Sequence, residues 1–308
     1  MKNKENYREF CRNNPAVRLF SQPWWLDAAA GAENWDVALV MRNNQVAAAL
    51  PFSRRRLAGF QVYKMPELTP WYHIYIDYPP EQKMTRRLSF EKDILSELIE
   101  QLPPSPRFMQ KYSYELTNWL PFYWKGYKQT TRYSYIIPDI SDTDAVYKGF
   151  RNNIRREIRK AERRLEIRPE KNLQEFYRLN KMTFSRQNET PSYSFDLLKR
   201  VDDACERREC RKIWAAVDDE GRKHAVLYLA WDAFSAYYLM GGADPELRNS
   251  GASSLLMWTA IQFASKVTAQ FDFEGSMIEP IERFVRGFGA RQTPYFVIHK
   301  KKFPFTLI

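Results

Sequence analysis

Between residues 237 and 275 the chain collects residue types that can do chemistry. A β-prone run, Tyr237 to Met240, leads into Gly241-Gly242. Arg248-Asn249-Ser250-Gly251-Ala252-Ser253 follows and gives way to an apolar, helix-forming stretch from Leu255. A strand, a loop of small residues and a helix start leave backbone N–H groups pointing one way, a site for an anion such as pyrophosphate. Gly251, Ala252 and Ser253 have little bulk to keep it away. The alternative is that Ser250 caps the helix and the small residues allow tight packing. In Phe271-Asp272-Phe273-Glu274-Gly275 the two carboxylates alternate, so a regular strand puts Asp272 and Glu274 on one face. Beside the glycine loop such a carboxylate can orient or deprotonate an amine, and an ion pair with Arg283 or Arg286 is the competing reading. Tyr238 and Tyr295 are candidate proton donors to a leaving group. His73, His224 and His299 are scattered, and neither a Ser-His-Asp nor a Cys-His arrangement is visible, which suits direct attack without an enzyme nucleophile.

The charge balance points to an anionic partner. Lys and Arg number 48 against 37 Asp and Glu, a formal net charge of +11. The densest basic stretch runs from Arg151 to Arg164, with Ile154, Ile158, Ala161 and Leu165 on one helical face. Its other face shows Arg155 and Arg159 among others, either a solvated surface or a rim for phosphates. Arg54-Arg55-Arg56 is a second basic candidate, and arginine grips phosphate bidentately. Three cysteines make a poor disulfide framework, and Cys205 and Cys210 read as ordinary helix residues, with no metal-ligand spacing anywhere. The polar start is unlike a signal peptide and no apolar run reaches membrane-spanning length, so the expectation is a cytoplasmic protein without a transmembrane segment.

The elements that must hold these residues repeat in order. Helix 16–30 precedes strands over 35–41, 46–52 and 60–65, helix 86–101, strand 107–112, a turn broken by Pro121 and strand 133–137. Helices over 142–164 and 173–186 then precede strands over 212–217, 225–231 and 236–240, helix 250–267, strand 271–273, helix 279–288 and strand 296–299. At 308 residues the chain suits two domains, 1–140 and 141–308, each a mixed β-sheet flanked by helices: an α/β (α+β) architecture built twice. At the point matching the glycine loop the first half reads Tyr78-Pro79-Pro80, where prolines remove N–H donors.

Arg248 to Ser253 resembles the pyrophosphate loop R/Q-x-x-G-x-G/A of the GNAT acyltransferase superfamily, with Ser253 where glycine or alanine is usual. Ser21-Gln22-Pro23-Trp24-Trp25-Leu26, the Arg-rich helix, Phe271 to Ser276, Arg283 to Ala290 and Pro294-Tyr295 resemble the Fem-type peptidoglycan-bridge transferases and their FemAB-like relatives. That resemblance implies tandem GNAT-like domains, the first acceptor-side or structural, the second donor-binding and catalytic. It implies transfer of an acetyl or aminoacyl group from acyl-CoA or aminoacyl-tRNA to an amine-bearing or anionic acceptor, in cell-envelope or polysaccharide metabolism. The implied donor contacts are Leu239, Met240 and Arg248 to Ser253, the implied substrate contacts Arg54, Arg155, Arg159 and Arg286, with Asp272, Glu274, Tyr238 and Tyr295 catalytic and no metal. Val285 stands where Fem enzymes carry lysine, and 165–212 leaves no room for a long helical arm; both favour acyl-CoA over tRNA. The other reading is a non-catalytic nucleic-acid-binding protein using the basic helix 151–164.

Overall fold

The computed structural model describes residues 2–12, 14–185 and 189–302. In chain order the elements are α1 (Lys2–Arg12), α2 (Pro23–Ala29), β1 (Trp35–Arg42), β2 (Gln45–Leu57), β3 (Phe60–Lys64), β4 (Tyr75–Ile76), α3 (Met84–Glu100), β5 (Arg107–Tyr112), α4 (Leu120–Trp124), β6 (Lys128–Ile137), α5 (Thr143–Gly149), α6 (Asn152–Glu162), β7 (Glu166–Pro169), α7 (Leu173–Ser185), α8 (Phe195–Glu206), β8 (Arg211–Val217), β9 (Lys223–Trp231), β10 (Ser235–Ala243), α9 (Ala252–Ala264), β11 (Gln270–Asp272), α10 (Glu279–Arg286) and β12 (Arg291–Lys301). They form two compact units: Met1–Arg132 with Pro294–Ile308, and Tyr133–Thr293.

The first unit is a mixed sheet in the order β1-β2-β3-β5-β12, with β4 on β2. The β1–β2 turn is set by Asn43 and Asn44, both at positive φ, which asparagine tolerates better than most residues. α1 and α3 bury Tyr7, Ile94, Leu95 and Leu98 against Val37, Leu39, Ala49 and Leu50 of β1 and β2. β3 and β5 run parallel over Tyr63–Lys64 and Phe108–Met109. Beyond them Tyr72 bridges Tyr112: the Tyr72 N–H donates to the Lys111 carbonyl at 2.8 Å, and the Ser113 N–H donates to the Tyr72 carbonyl at 2.8 Å.

The second unit orders its strands β6-β11-β10-β9-β8-β7, antiparallel except for the parallel pair β10–β11. α6 and α9 cover a core of Ile154, Ile158, Leu256, Ile261, Leu227 and Phe271. α7 lies on β10, where a Cβ at Gly242 would run into the backbone of Leu179 and Asn180.

Several elements depart from the sequence expectation. The single helix expected over 142–164 is two, because Phe150 is extended and buried and Arg151 N–H donates to the Gly287 carbonyl at 2.9 Å. α1, β4, α4 and β7 were not expected, and of the two cysteines expected in a helix Cys205 lies in α8 while Cys210 falls beyond its end, just before β8. Helix α7 is described to Ser185, and Arg186, its expected end, lies outside the described residues.

Candidate active site

The two strands that frame the glycine loop part company. β10 pairs with β11 only over Ser235–Tyr237 and Gln270–Asp272, and its register on β9 then shifts between Tyr238 and Met240. A bulge of this kind bends one strand away from its neighbour. The result is a wedge between β10 and β11, at the end of the sheet where α9 begins. Leu239, Met240 and Gly241 form the β10 edge of this wedge.

The glycine loop is a short 3-10 turn, Arg248–Ser250, followed by Gly251 at φ 84°, which is the N-cap of α9. Ser250 is not that cap: its side chain reaches Ala252 N–H only at 3.4 Å. Gly251 is doubly required, since its φ is left-handed and a Cβ there would collide with the Glu157 carbonyl of α6. The basic helix α6 is thus the wall of the loop, and its Lys160 ammonium donates to the Asn249 carbonyl. Ala252 is buried, while Ser253 is exposed on the first turn of α9. The first N–H groups of a helix have no partner within it, and its N-terminus carries partial positive charge. A helix start of this kind suits an anion, and tight packing explains the same glycine.

Asp272 and Glu274 do not share a strand face. β11 ends at Asp272, and Glu274 (φ 56°) and Gly275 (φ 64°) turn left-handed. Asp272 is wholly buried, and Oδ1 accepts from the Ser134 hydroxyl and, at 2.7 Å, from Glu274 N–H. Its Oδ2 has no hydrogen-bond partner among the described residues. Burial pushes this carboxyl up to about 6, against the opposing effect of those two donors. Asp272 therefore fixes the turn that presents Glu274. Glu274 is half-buried and close enough to Tyr238 to act on it: burial first, then the Glu274 charge, pushes the phenol up to about 12. The Tyr238 hydroxyl lies directly over Gly241, in the space a Cβ there would need. Tyr295 is buried on β12 in the first unit.

Arginines expected to meet substrate differ in what already holds them. Arg54 donates to the Glu33 carbonyl through Nε at 3.0 Å and a terminal nitrogen at 2.8 Å. Arg286 pairs with Glu282 at 2.7 Å and Arg283 with Glu279 at 3.5 Å, so neither arginine is the carboxylates' partner. Arg155 donates to Asn152, and Arg159 is exposed, with no ion pair among the described residues. Two supporting residues escaped the sequence reading. Asn180 of α7, 2% exposed, donates to the Gly241 carbonyl at 2.7 Å and accepts from the Tyr193 hydroxyl at 2.6 Å. Ser134 of β6 holds Asp272. Neither stands in a motif; only tertiary contact gives them a role. Among the described residues no group of three His, Cys, Asp or Glu is placed to hold a metal ion. Nor is any helix there long and apolar enough to cross a membrane.

Residues 148–276 match the family model of the acetyltransferase (GNAT) domain. No curated protein sequence matches the chain. Among solved structures, FemX superposes with a TM-score of 0.69 at 13% identity, over 95% of each chain. The C-terminal DUF2156 domain of a candidate lysylphosphatidylglycerol synthetase from Agrobacterium fabrum gives 0.56 at 10% identity, over 97% of this chain and 91% of that one. A conserved protein of unknown function from Bacteroides thetaiotaomicron gives 0.53 at 13%, over 97% of each. The chain shares the fold of FemX, and the stretch that carries the glycine loop, Asp272 and Glu274 lies within the residues that match the acetyltransferase (GNAT) domain.

Proposed function

We propose that the second unit transfers an acyl group from acyl-CoA to an amine, with aminoacyl-tRNA as the alternative donor. The observation that carries the reading is the wedge between β10 and β11 opening onto the N-terminus of α9, with Tyr238 and Glu274 close together in the same unit. A pantetheine-like arm can lie along the β10 edge at Leu239 and Met240, before the Gly241 carbonyl that Asn180 occupies, with its pyrophosphate on the backbone of Gly251 to Ser253. Glu274 takes the proton of the attacking amine. Tyr238, held protonated far above neutral pH, gives its proton to the leaving sulfur as the carbonyl–sulfur bond breaks. Asp272 is a positioning residue for Glu274.

The two units read as duplicated domains, since each has a mixed sheet whose parallel pair precedes or follows a long helix, and the first unit serves the acceptor or a structural role. The Fem resemblance suggests an acceptor from cell-envelope or polysaccharide metabolism, handled in the cytoplasm. Calorimetric titration with CoA and acetyl-CoA tests the donor. Binding is expected, with about a tenfold loss in Ser253→Glu, whose carboxylate repels phosphate yet suits a helix N-terminus. Absence of CoA binding, with salt-sensitive RNA binding lost on charge reversal of Arg159 and Arg163, would favour the non-catalytic nucleic-acid reading instead.

A further inference from the structure

The first unit contains a second concentration of positive charge, in side chains that the proposed acyl transfer does not use. A cavity of about 240 Å³ is lined by Arg107, Thr130, Arg132, His299 and Lys301 around a floor of Met109 and Val297. The strands explain the cluster. In the antiparallel register Arg107 faces Lys301 and Met109 faces His299, so these four side chains leave one face of the β5–β12 ladder. Phe108, Tyr112 and Ile298 leave the other and fill the core. No Asp or Glu lines the cavity, and among the described residues the charged ends of Arg107, Arg132 and Lys301 have no ion pair. Most other basic residues described above are held by a carboxylate or carbonyl. Like charges gathered without a counter-charge repel one another, an arrangement that an anion relieves. The local field is visible in His299, whose imidazole is held below its usual range by burial and then by Lys128 and Lys301.

We propose that this cavity binds a phosphoryl or pyrophosphoryl group, gripped by Arg107, Arg132 and Lys301 with His299 at its edge and a short apolar segment of the ligand on Met109 and Val297. The site is independent of the acyl-transfer reading, because every residue in it belongs to the first unit. Inorganic pyrophosphate is the probe, titrated by calorimetry and by the proton resonances of the three histidines. Saturable binding is expected, with a rise in the His299 pKa while His73 and His224 stay unmoved. Arg107→Ala, at a half-buried position, and Lys301→Ala, at an exposed one, should each weaken binding about tenfold with the thermal midpoint little changed. Arg107→Lys should recover part of the loss. Parallel arms with vesicles of anionic or zwitterionic phospholipid, each with and without excess pyrophosphate, decide whether the group comes from a free phosphate ester or a lipid headgroup. Binding that leaves the His299 resonance in place, or that survives both alanine variants, overturns the assignment, as does the absence of any pyrophosphate binding.

Discussion

Among the described residues each unit has one parallel strand pair, and the two pairs end differently. In the first unit the line of β3 beside β5 is resumed by Tyr72, whose backbone bonds to Lys111 and Ser113 and whose hydroxyl meets Ser53 at 2.5 Å. Trp71 and Tyr72 are both fully buried there. In the second unit β10 bulges away after Tyr238, and among the described residues none resumes its line beside β11. One pair is sealed by the chain's own aromatic side chains and the other is left as a wedge. Two sheets with the same local pairing can therefore differ in whether a ligand has a backbone edge to bind, and the difference lies in one intervening segment.

That contrast can be broken in graded ways. Gly275→Val should have the largest effect, because φ is 64° and a Cβ would strike the Tyr133 carbonyl and Ser134 Cα; a loss above about 3 kcal/mol is expected in chemical denaturation. Gly221→Ala, also at positive φ but with open space around it, should cost only about 1 kcal/mol. Tyr72→Ala, which unplugs the sealed pair, should cost about 3–5 kcal/mol in the same measurement. Glu274→Gln and Tyr238→Phe should leave stability nearly intact yet slow acyl transfer by about a hundredfold or more, read as kcat with the KM for donor little changed. If both variants kept full rate, the wedge would have no role in the chemistry.

The smaller effects appear in pH dependence, and the two units should differ in sign. Asp272 is raised from 3.8 to about 6, so between those values the folded chain keeps a proton that the unfolded chain has released. Stability then falls as pH rises through that window, by about 3 kcal/mol in all, and Asp272→Asn should flatten the slope. Glu115 in the first unit is pushed up by burial but more strongly down by His73 and Arg18, to about 2 from 4.5. Its contribution is present above 4.5 and is lost as pH falls toward 2, and Glu115→Gln should remove that acid limb. With its side chain one-third exposed, the effect should be the weaker of the two.

The features legible in the sequence were local ones. The Asn43-Asn44 hairpin, the strand leading into Gly241 and the small-residue start of α9 each follow from residue type within a few positions. Helix α1 was not legible because its only buried residues are Tyr7 and Cys11 in an otherwise polar stretch, too few to show a period. The division of 142–164 depends on Gly287, far along the chain. The alternation of Asp272 and Glu274 was real as spacing, but the strand ends between them, and left-handed backbone redirects the second carboxylate. Tyr72 as the seal of β3–β5, and Asn180 as the brace of Gly241, exist only through tertiary contact.

Gly251 has a bearing on how descendants of this sequence would diverge. The α6 backbone forbids any side chain there whatever the helix end binds, so persistence of glycine at 251 would record the wall and carry no information about a ligand. Ser253, two positions on and open to solvent, has no such constraint. Selection for an anion would leave its trace at 253, where drift is otherwise free.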